Sequence, residues 1–269
     1  MATSNPAFSN SPAFSQSATK AIQWTQEPSA QQLDELYARS SATPDQMDRM
    51  TYENTIMKTV LAFVVLLATA AVGWFIPALM IPAAIVGFVL ALVNIFKKKP
   101  SPALVLAYSA AQGLFVGGIS GVFEVEYPGI VTQAVIGTFA VVGVTLALFA
   151  SGKIRASKRA TKIFLVAMVG YMVFSLINMG LVLFGVTDSA FGLRSEPSPL
   201  FGIPWGVLIG VFVILLAAYS LVLDFDAVKT GVERGAPAIY GWTAAFGIMV
   251  TVIWLYLEIL RLLAILRGD

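Results

Sequence analysis

The sequence predicts an all-α integral membrane protein, a bundle of seven transmembrane helices with a disordered N-terminal tail. Three observations support this prediction. Of the 269 residues, 58% are hydrophobic and 12% are charged, whereas an average soluble domain is about 45–50% apolar and about 25% charged. After residue 50, apolar stretches recur that are each close to the roughly 20 residues needed to cross a bilayer. Before residue 50, the chain is instead rich in Ser, Ala, Gln, Asn and Pro.

The segment 1–50 is predicted to be a disordered tail. It contains a short near-duplication, at residues 5–9 and 11–15, and few apolar side chains. Too little apolar surface is present to offset the entropy lost on ordering the chain. A tail of this kind is suited to binding a partner protein. Residues 51–269 form the second predicted unit, the transmembrane domain.

Seven apolar stretches are predicted to span the lipid bilayer. Thr51 is a suitable N-cap for the first of them. The tripeptide Ile76-Pro77-Ala78 separates the first two stretches and predicts a tight hairpin between them. All later connections are too short to contain a soluble domain. The predicted spans cover residues 57–76, 79–96, 102–122, 129–150, 162–186, 204–225 and 239–263.

The basic residues of the loops lie mostly on one side of the predicted bundle. Ten follow the second, fourth and sixth spans, and only Arg194 lies in the loops after the third and fifth. Because loops rich in Lys and Arg remain in the cytoplasm, we predict a multi-pass protein of the cell membrane with a cytoplasmic N-terminus. A seventh full crossing would place the C-terminus outside, and a re-entrant last segment would return it to the cytoplasm.

The composition also excludes several classes of function. The chain contains no cysteine and no histidine. Disulfides and thiolate zinc sites are therefore excluded, and the most common general base and metal ligand is missing. Since no cluster of carboxylates compensates for this, we expect no enzymatic activity, no cofactor, no metal centre and no binding of nucleic acid.

Glycines spaced by four residues predict close packing of two helices, because they leave one helix face without side chains. A role as pore lining or hinge is the alternative interpretation. Asn94 and Asn178 are expected to form interhelical hydrogen bonds, and Gln112, beside the first glycine series, is a secondary functional candidate. The two series are Gly113, Gly117 and Gly121, and Gly202, Gly206 and Gly210.

Asp224 is the strongest functional candidate in the sequence. It directly follows the apolar stretch 213–223, and a carboxylate within a transmembrane segment is costly, by roughly 2.5–3.5 kcal/mol at mid-helix. We therefore expect it to face the bundle interior or an aqueous cavity, where it would act as a gate and pH sensor. Asp226 lies two positions further on and thus on another helix face, where solvation or pairing with Lys229 is the simpler expectation.

Glu258 and Arg261 are spaced by three residues and are expected to pair on one helix face. The simpler interpretation is an ion pair at the outer membrane interface, with side chains that snorkel toward water. If the last helix begins near Ala238, Glu258 lies about 30 Å along it. We therefore expect Asp224 to remain near the opposite face and not to pair with Glu258.

Several of these segments resemble a known family. The stretch 217–226, which ends in Asp224-Phe225-Asp226, and the segment 257–261 are similar to the Bax inhibitor-1 family, in its bacterial YccA-like branch. Segments 5–8, 50–59 and 112–120 resemble actinobacterial members of that branch. The similarity covers essentially the whole chain.

The resemblance implies a bundle of seven helices with the last helix at its centre. It also implies a pH-sensitive calcium leak in some members, and modulation of a membrane protease or of stress survival in others. In the calcium-leak members, two aspartates from the sixth and seventh helices form a proton-sensitive latch. Asp224 matches the first aspartate, whereas Thr251, which cannot ionise, stands where the second is expected. Gln112 similarly stands where this branch would have an acid.

Two functions remain open from the sequence. The first is a pH-sensitive leak for calcium or another cation, with Asp224 as the gate, Asp226 and Thr251 as further gating candidates, and Gln112, Glu258 and Arg261 as secondary candidates. The second is an interaction protein that modulates a membrane protease or a stress response through its tail, without transport.

Overall fold

The structure, a computed structural model, describes residues 49–187, 189–199 and 202–268. The predicted disorder of the tail falls almost entirely outside the described residues. Within them the regular structure is helical, apart from isolated bridges between Arg49 and Pro237 and between Pro197 and Pro204. The prediction of an all-α protein is therefore confirmed for this part of the chain.

Seven long helices account for most of the described residues. All seven are long and apolar enough to cross a membrane, which confirms the predicted spans. The last helix is continuous over 27 residues, so the described chain ends at the opposite end of the bundle from the start of that helix. The helices are α1 Tyr52–Phe75, α2 Met80–Phe96, α3 Pro102–Glu126, α4 Ile130–Ala150, α5 Lys158–Leu183, α6 Trp205–Glu233 and α7 Gly241–Arg267.

Local sequence features explain where the helices begin. The Thr51 hydroxyl accepts a hydrogen bond from the backbone N–H of Asn54 at 3.1 Å, as predicted for an N-cap. At the start of α4, the Glu124 carboxylate accepts hydrogen bonds from the backbone N–H groups of Gly129 and Val131, at 2.7 and 3.1 Å. A negative charge is favourable there because the helix dipole is positive at its N-terminus.

Helix α7 lies at the centre of the bundle and contacts α1, α3, α4 and α6. It contributes much of the apolar core, including Leu255 and Ala264, which are fully buried. Helix α5 is the opposite case, because no residue of its most apolar stretch is buried. The central position of the last helix agrees with the family resemblance, and α5 presents most of its surface to the surroundings of the bundle.

The first glycine series packs α3 closely against α1. A Cβ atom at Gly117 would lie 1.9 Å from the backbone oxygen of Ala70, and one at Gly113 would lie 2.2 Å from that of Leu66. The packing interpretation is therefore confirmed for this series. The second series is only partly a packing face, because Gly202 lies in a turn with a φ of 72°.

Candidate functional site

Asp224 is held by a hydrogen bond between the last two helices. The Thr251 hydroxyl of α7 donates to Asp224 Oδ2 on α6 at 2.6 Å. Ser220, one turn before Asp224, lies 3.3 Å from the same hydroxyl. Gly247 is the residue one turn before Thr251, and a Cβ there would lie 3.2 Å from Asp224 Oδ1. Glycine at this position thus leaves room for the carboxylate between the helices.

Asp224 also borders a cavity of about 530 Å³. This cavity lies at the basic end of the bundle, defined as the end with the loops after α2, α4 and α6. Its lining includes Asn94, Lys97 and Lys98 from the end of α2 and Tyr240 from the turn before α7. The Asp224 carboxylate therefore has the interface of α6 with α7 on one side. On its other side is a cavity large enough to hold water.

The bundle is closed beyond Asp224. The side chains of Ala217, Leu221 and Leu255 are fully buried in one apolar cluster between α6 and α7. Such an interior has no room for a hydrated ion, because the side chains are in direct contact. The hydrogen bond between Asp224 and Thr251 thus separates the cavity from a closed apolar layer.

A second polar group lies in the half of the bundle away from the basic end. Glu258 on α7 is 2% exposed, and its Oε1 accepts a 2.6 Å hydrogen bond from Arg261 Nη1. Its other oxygen, Oε2, lies 3.5 Å from Nη1 of Arg194, which is 4% exposed. The Tyr171 hydroxyl of α5 donates to Glu258 Oε1. We call Tyr171, Arg194, Glu258 and Arg261 the outer cluster.

The outer cluster corrects one prediction. The pairing of Glu258 with Arg261 is confirmed, but their placement as an ion pair at the water interface is wrong for Glu258. The turn Gly192–Arg194, between α5 and α6, brings Arg194 onto this carboxylate. Sequence reasoning missed Arg194 and Tyr171, since a single arginine in a loop and a tyrosine in an apolar span carry no distinctive signal.

Arg194 is positioned by a short 3₁₀ turn, Gly192–Arg194, between α5 and α6. Asn178 of α5 holds this turn with two hydrogen bonds. Its amide nitrogen donates to the Phe191 carbonyl at 3.1 Å, and its oxygen accepts from the Leu193 N–H at 2.8 Å. Asn178 therefore bonds to the loop, whereas Asn94 does bond across two helices, to the Leu104 carbonyl at 3.3 Å.

The two carboxylates, Asp224 and Glu258, lie closer along the bundle than predicted. Thr251, the partner of Asp224, and Glu258 are seven residues apart on α7, which places them on one face and about 10 Å apart along the axis. The predicted separation of about 30 Å was wrong because Asp224 packs beside the middle of α7 and not beside its start. The two side chains do not pair within the described structure, as expected.

The remaining candidates lie elsewhere. Asp226 faces an open groove at the basic end that is also lined by Lys158 and Lys162 of α5. Of the two expectations for Asp226, solvation agrees with this open groove, whereas Lys229 pairs with Glu233 at 3.6 Å instead. Gln112 of α3 packs against α2.

The Gln112 side chain fits tightly against α2. A Cβ atom at Gly87 of α2 would lie 2.8 Å from the side-chain nitrogen of Gln112. In the part of the chain that the structure describes, no group of three or more Asp, Glu, His or Cys side chains is arranged to hold a metal ion.

Comparison with known proteins agrees with this architecture. A family model described as Bax inhibitor 1 like matches residues 5–268, nearly the whole chain. No curated protein matches the chain. The seven apolar helices and the extent of the family match together identify the chain as a multi-pass membrane protein that belongs to the Bax inhibitor 1 like family.

Proposed function

We propose that this protein is a pH-sensitive cation leak of the cell membrane, with calcium as a candidate permeant ion. The observation that carries this proposal is a carboxylate within a membrane-spanning helix, Asp224, that lines a cavity. Carboxylates are rare in such helices and mark ion or proton pathways when they face an interior cavity. An oxygen ligand is also the type that calcium prefers.

In this proposal the basic end of the bundle faces the cytoplasm, together with the N-terminal tail. The excess of Lys and Arg in the loops of that end supports the orientation. The cavity beside Asp224 then opens toward the cytoplasm. We further place the chain in the bacterial YccA-like branch of its family, on the similarity of residues 217–226 and 257–261.

The gate in this proposal is the contact between α6 and α7. An ionised Asp224 accepts a charge-assisted hydrogen bond from Thr251, which is roughly twice as strong as a neutral one. A proton on Asp224 removes that charge and weakens the bond between the two helices. The other titratable groups that line the same cavity are Lys97, Lys98 and Tyr240.

The sign of the pH dependence follows from this contact. Acidification on the side of the cavity adds a proton to Asp224, loosens α6 from α7 and opens the apolar layer beyond them. Cation flux should therefore rise as the pH falls. Since Thr251 has no ionisable group, a single carboxyl controls the gate.

Reconstitution into liposomes loaded with a calcium dye tests the proposal. Wild-type protein should show flux that rises on acidification, and Asp224→Asn should remove the pH dependence. Glu233→Gln is the matched control, because it removes a carboxylate from the same helix at an exposed ion pair. Absence of flux from wild-type protein would reject the leak. Equal, pH-independent flux from wild type and Asp224→Asn would remove Asp224 from the mechanism.

A further inference from the structure

The outer cluster has an unusual charge balance for the interior of a membrane protein. Two arginines, Arg194 and Arg261, surround one carboxylate, Glu258, so the cluster carries a net charge of +1. Charged side chains at this depth are costly unless each is fully paired. Arg194 Nη1 and Glu258 Oε2 are buried and form no hydrogen bond, although they lie 3.5 Å apart as an ion pair. Within the outer cluster, the ion pair between Arg194 and Glu258 is therefore the contact that lacks a hydrogen bond.

We propose that Arg194 closes the outer half of the leak pathway and that its positive charge excludes cations until the turn Gly192–Arg194 withdraws. This inference rests on the proposed function, since it assigns a second closure to the same pathway. Asp224 closes the side near the cavity, and the outer cluster lies about 10 Å further along the same face of α7. A cation that passes Asp224 would next meet a buried site with a net positive charge.

Arg194 is better suited to move than Arg261. Arg261 is carried by the central helix and forms a direct 2.6 Å hydrogen bond to Glu258 one turn away. Arg194 is carried by a turn outside the helices, and its Nη2 reaches Tyr171 at 3.0 Å and Ser175 at 3.4 Å. Among the described residues, the other side-chain hydrogen bonds and ring contacts of Arg194 are to α5, while its backbone oxygen packs against Gly206 of α6.

Helix α5 can move together with this turn because little apolar packing holds it. Apart from Phe164, none of its residues is buried. Near the outer cluster, the Tyr171 hydroxyl of α5 contacts Glu258 and lies 3.3 Å from Arg261 Nη1 of α7. The Tyr171 ring adds one aromatic contact, with its centroid 6.3 Å from that of Trp254. Polar contacts of this kind can exchange for water, whereas an interlocked apolar interface would have to be pulled apart.

The guanidinium of Arg194 also lies over two aromatic rings of α5. It is 5.4 Å from the ring centroid of Tyr171 and 5.5 Å from that of Phe174. Cation–π contacts at these distances are favourable for Arg. They allow Arg194 to leave Glu258 without losing all of its partners, so that the arginine and α5 move as a unit away from α7.

Calcium flux tests the role of the charge. Arg194→Gln should raise flux by about tenfold or more, because a unit charge acts strongly on an ion in a low-dielectric path. Arg194→Lys keeps the charge and should leave flux near that of wild type. Arg267→Gln is the matched control, since it removes an exposed arginine at the same end of the bundle.

Cysteine labelling tests the closure independently of transport. The chain contains no cysteine, so Ser175→Cys introduces a single thiol beside Arg194. A membrane-impermeant maleimide added outside should label this thiol slowly in the wild-type background and faster with Arg194→Gln. A cysteine at the exposed position Glu196 should react equally in both backgrounds. If Arg194→Gln does not fold, the labelling rate of Ser175→Cys relative to that of Glu196→Cys should rise on acidification, a ratio that cancels the slower reaction of every thiol at lower pH.

The outcomes separate the two proposals. If wild-type protein shows no flux, the leak is rejected, and the labelling rates alone decide whether Arg194 closes the outer side. If wild-type protein conducts but Arg194→Gln changes neither flux nor labelling, the outer closure is wrong. If Arg194→Gln and Arg194→Lys raise flux equally, exclusion by charge is wrong.

Discussion

Thr251 donates a 2.6 Å hydrogen bond to Asp224 at the position where the family resemblance implies a second aspartate. Two adjacent aspartates cannot both ionise easily and tend to share a proton. A hydroxyl donor instead stabilises an ionised carboxylate without adding a second charge. In this protein the contact between the sixth and seventh helices therefore contains one titratable group, Asp224.

Removal of the Thr251 hydroxyl should weaken this contact. Thr251→Val keeps the side-chain shape and leaves Asp224 without its 2.6 Å donor, so we expect a loss of about 2 kcal/mol in stability, as for hydrogen bonds to charged groups. Flux at neutral pH should rise accordingly. Thr251→Ser, which keeps the hydroxyl, should restore both the stability and the flux to wild-type values. Ser220→Ala is the control, because its hydroxyl lies 3.3 Å from that of Thr251, a longer contact than the bond from Thr251 to Asp224.

Thermal unfolding in detergent and flux in liposomes measure these effects. A Thr251→Val protein with wild-type stability and wild-type flux would contradict a role for the hydrogen bond in closing the bundle.

A second carboxylate at position 251 should convert the gate into a two-acid latch. Thr251→Asp places its carboxyl beside Asp224, where one shared proton relieves the repulsion of like charges. The flux of this variant should then rise at a lower pH than that of wild type, because the shared proton keeps the two helices joined until a second proton binds, and repulsion separates the two protonation steps. A flux profile across pH measures the midpoint. An unchanged midpoint would argue against Asp224 as the titrating group.

The close contact of α3 with α1 should make Gly117 intolerant of any side chain. A Cβ there would lie 1.9 Å from the Ala70 backbone oxygen, so we expect Gly117→Ala to destabilise the bundle by about 1–3 kcal/mol or more, as for overpacked sites. Gly143→Ala is the matched control, because nothing lies within 4 Å of its Cβ position. That variant should be neutral or gain up to about 1 kcal/mol from helix propensity.

The unfolding temperatures of both variants, measured in the same detergent, check this prediction. Equal temperatures for Gly117→Ala and Gly143→Ala would show that the two helices are not packed through these glycines.

The buried carboxylate of the outer cluster should matter far more than an exposed one. Glu258→Gln leaves Arg194 and Arg261 without their counter-charge, and breaking a buried ion pair costs about 3–5 kcal/mol. Glu233→Gln removes a carboxylate that is 61% exposed and pairs with Lys229, and exposed pairs contribute about 0–1 kcal/mol. Chemical denaturation of both variants compares the two losses. Similar losses would place Glu258 in a solvated environment.

Part of this architecture could be predicted from residue order alone. The spans follow from apolar length, which is local along the chain, and the helix starts follow from residues such as Thr51 and Pro77. Asp224 stands out because a carboxylate beside an apolar stretch is costly wherever its helix packs. The pairing of Glu258 with Arg261 is likewise local, since residues three apart share a helix face.

The partners of these residues were decided by tertiary structure. Most faces of these helices are apolar, so no periodic pattern marks which face is buried or how far one helix is shifted against its neighbour. The contact of Asp224 with Thr251, and the distance from Asp224 to Glu258, depend on that shift. Arg194 reaches Glu258 only because a turn far away in sequence folds over the central helix. The chain thus determines by itself where it crosses the membrane, and helix packing determines which charges meet inside it.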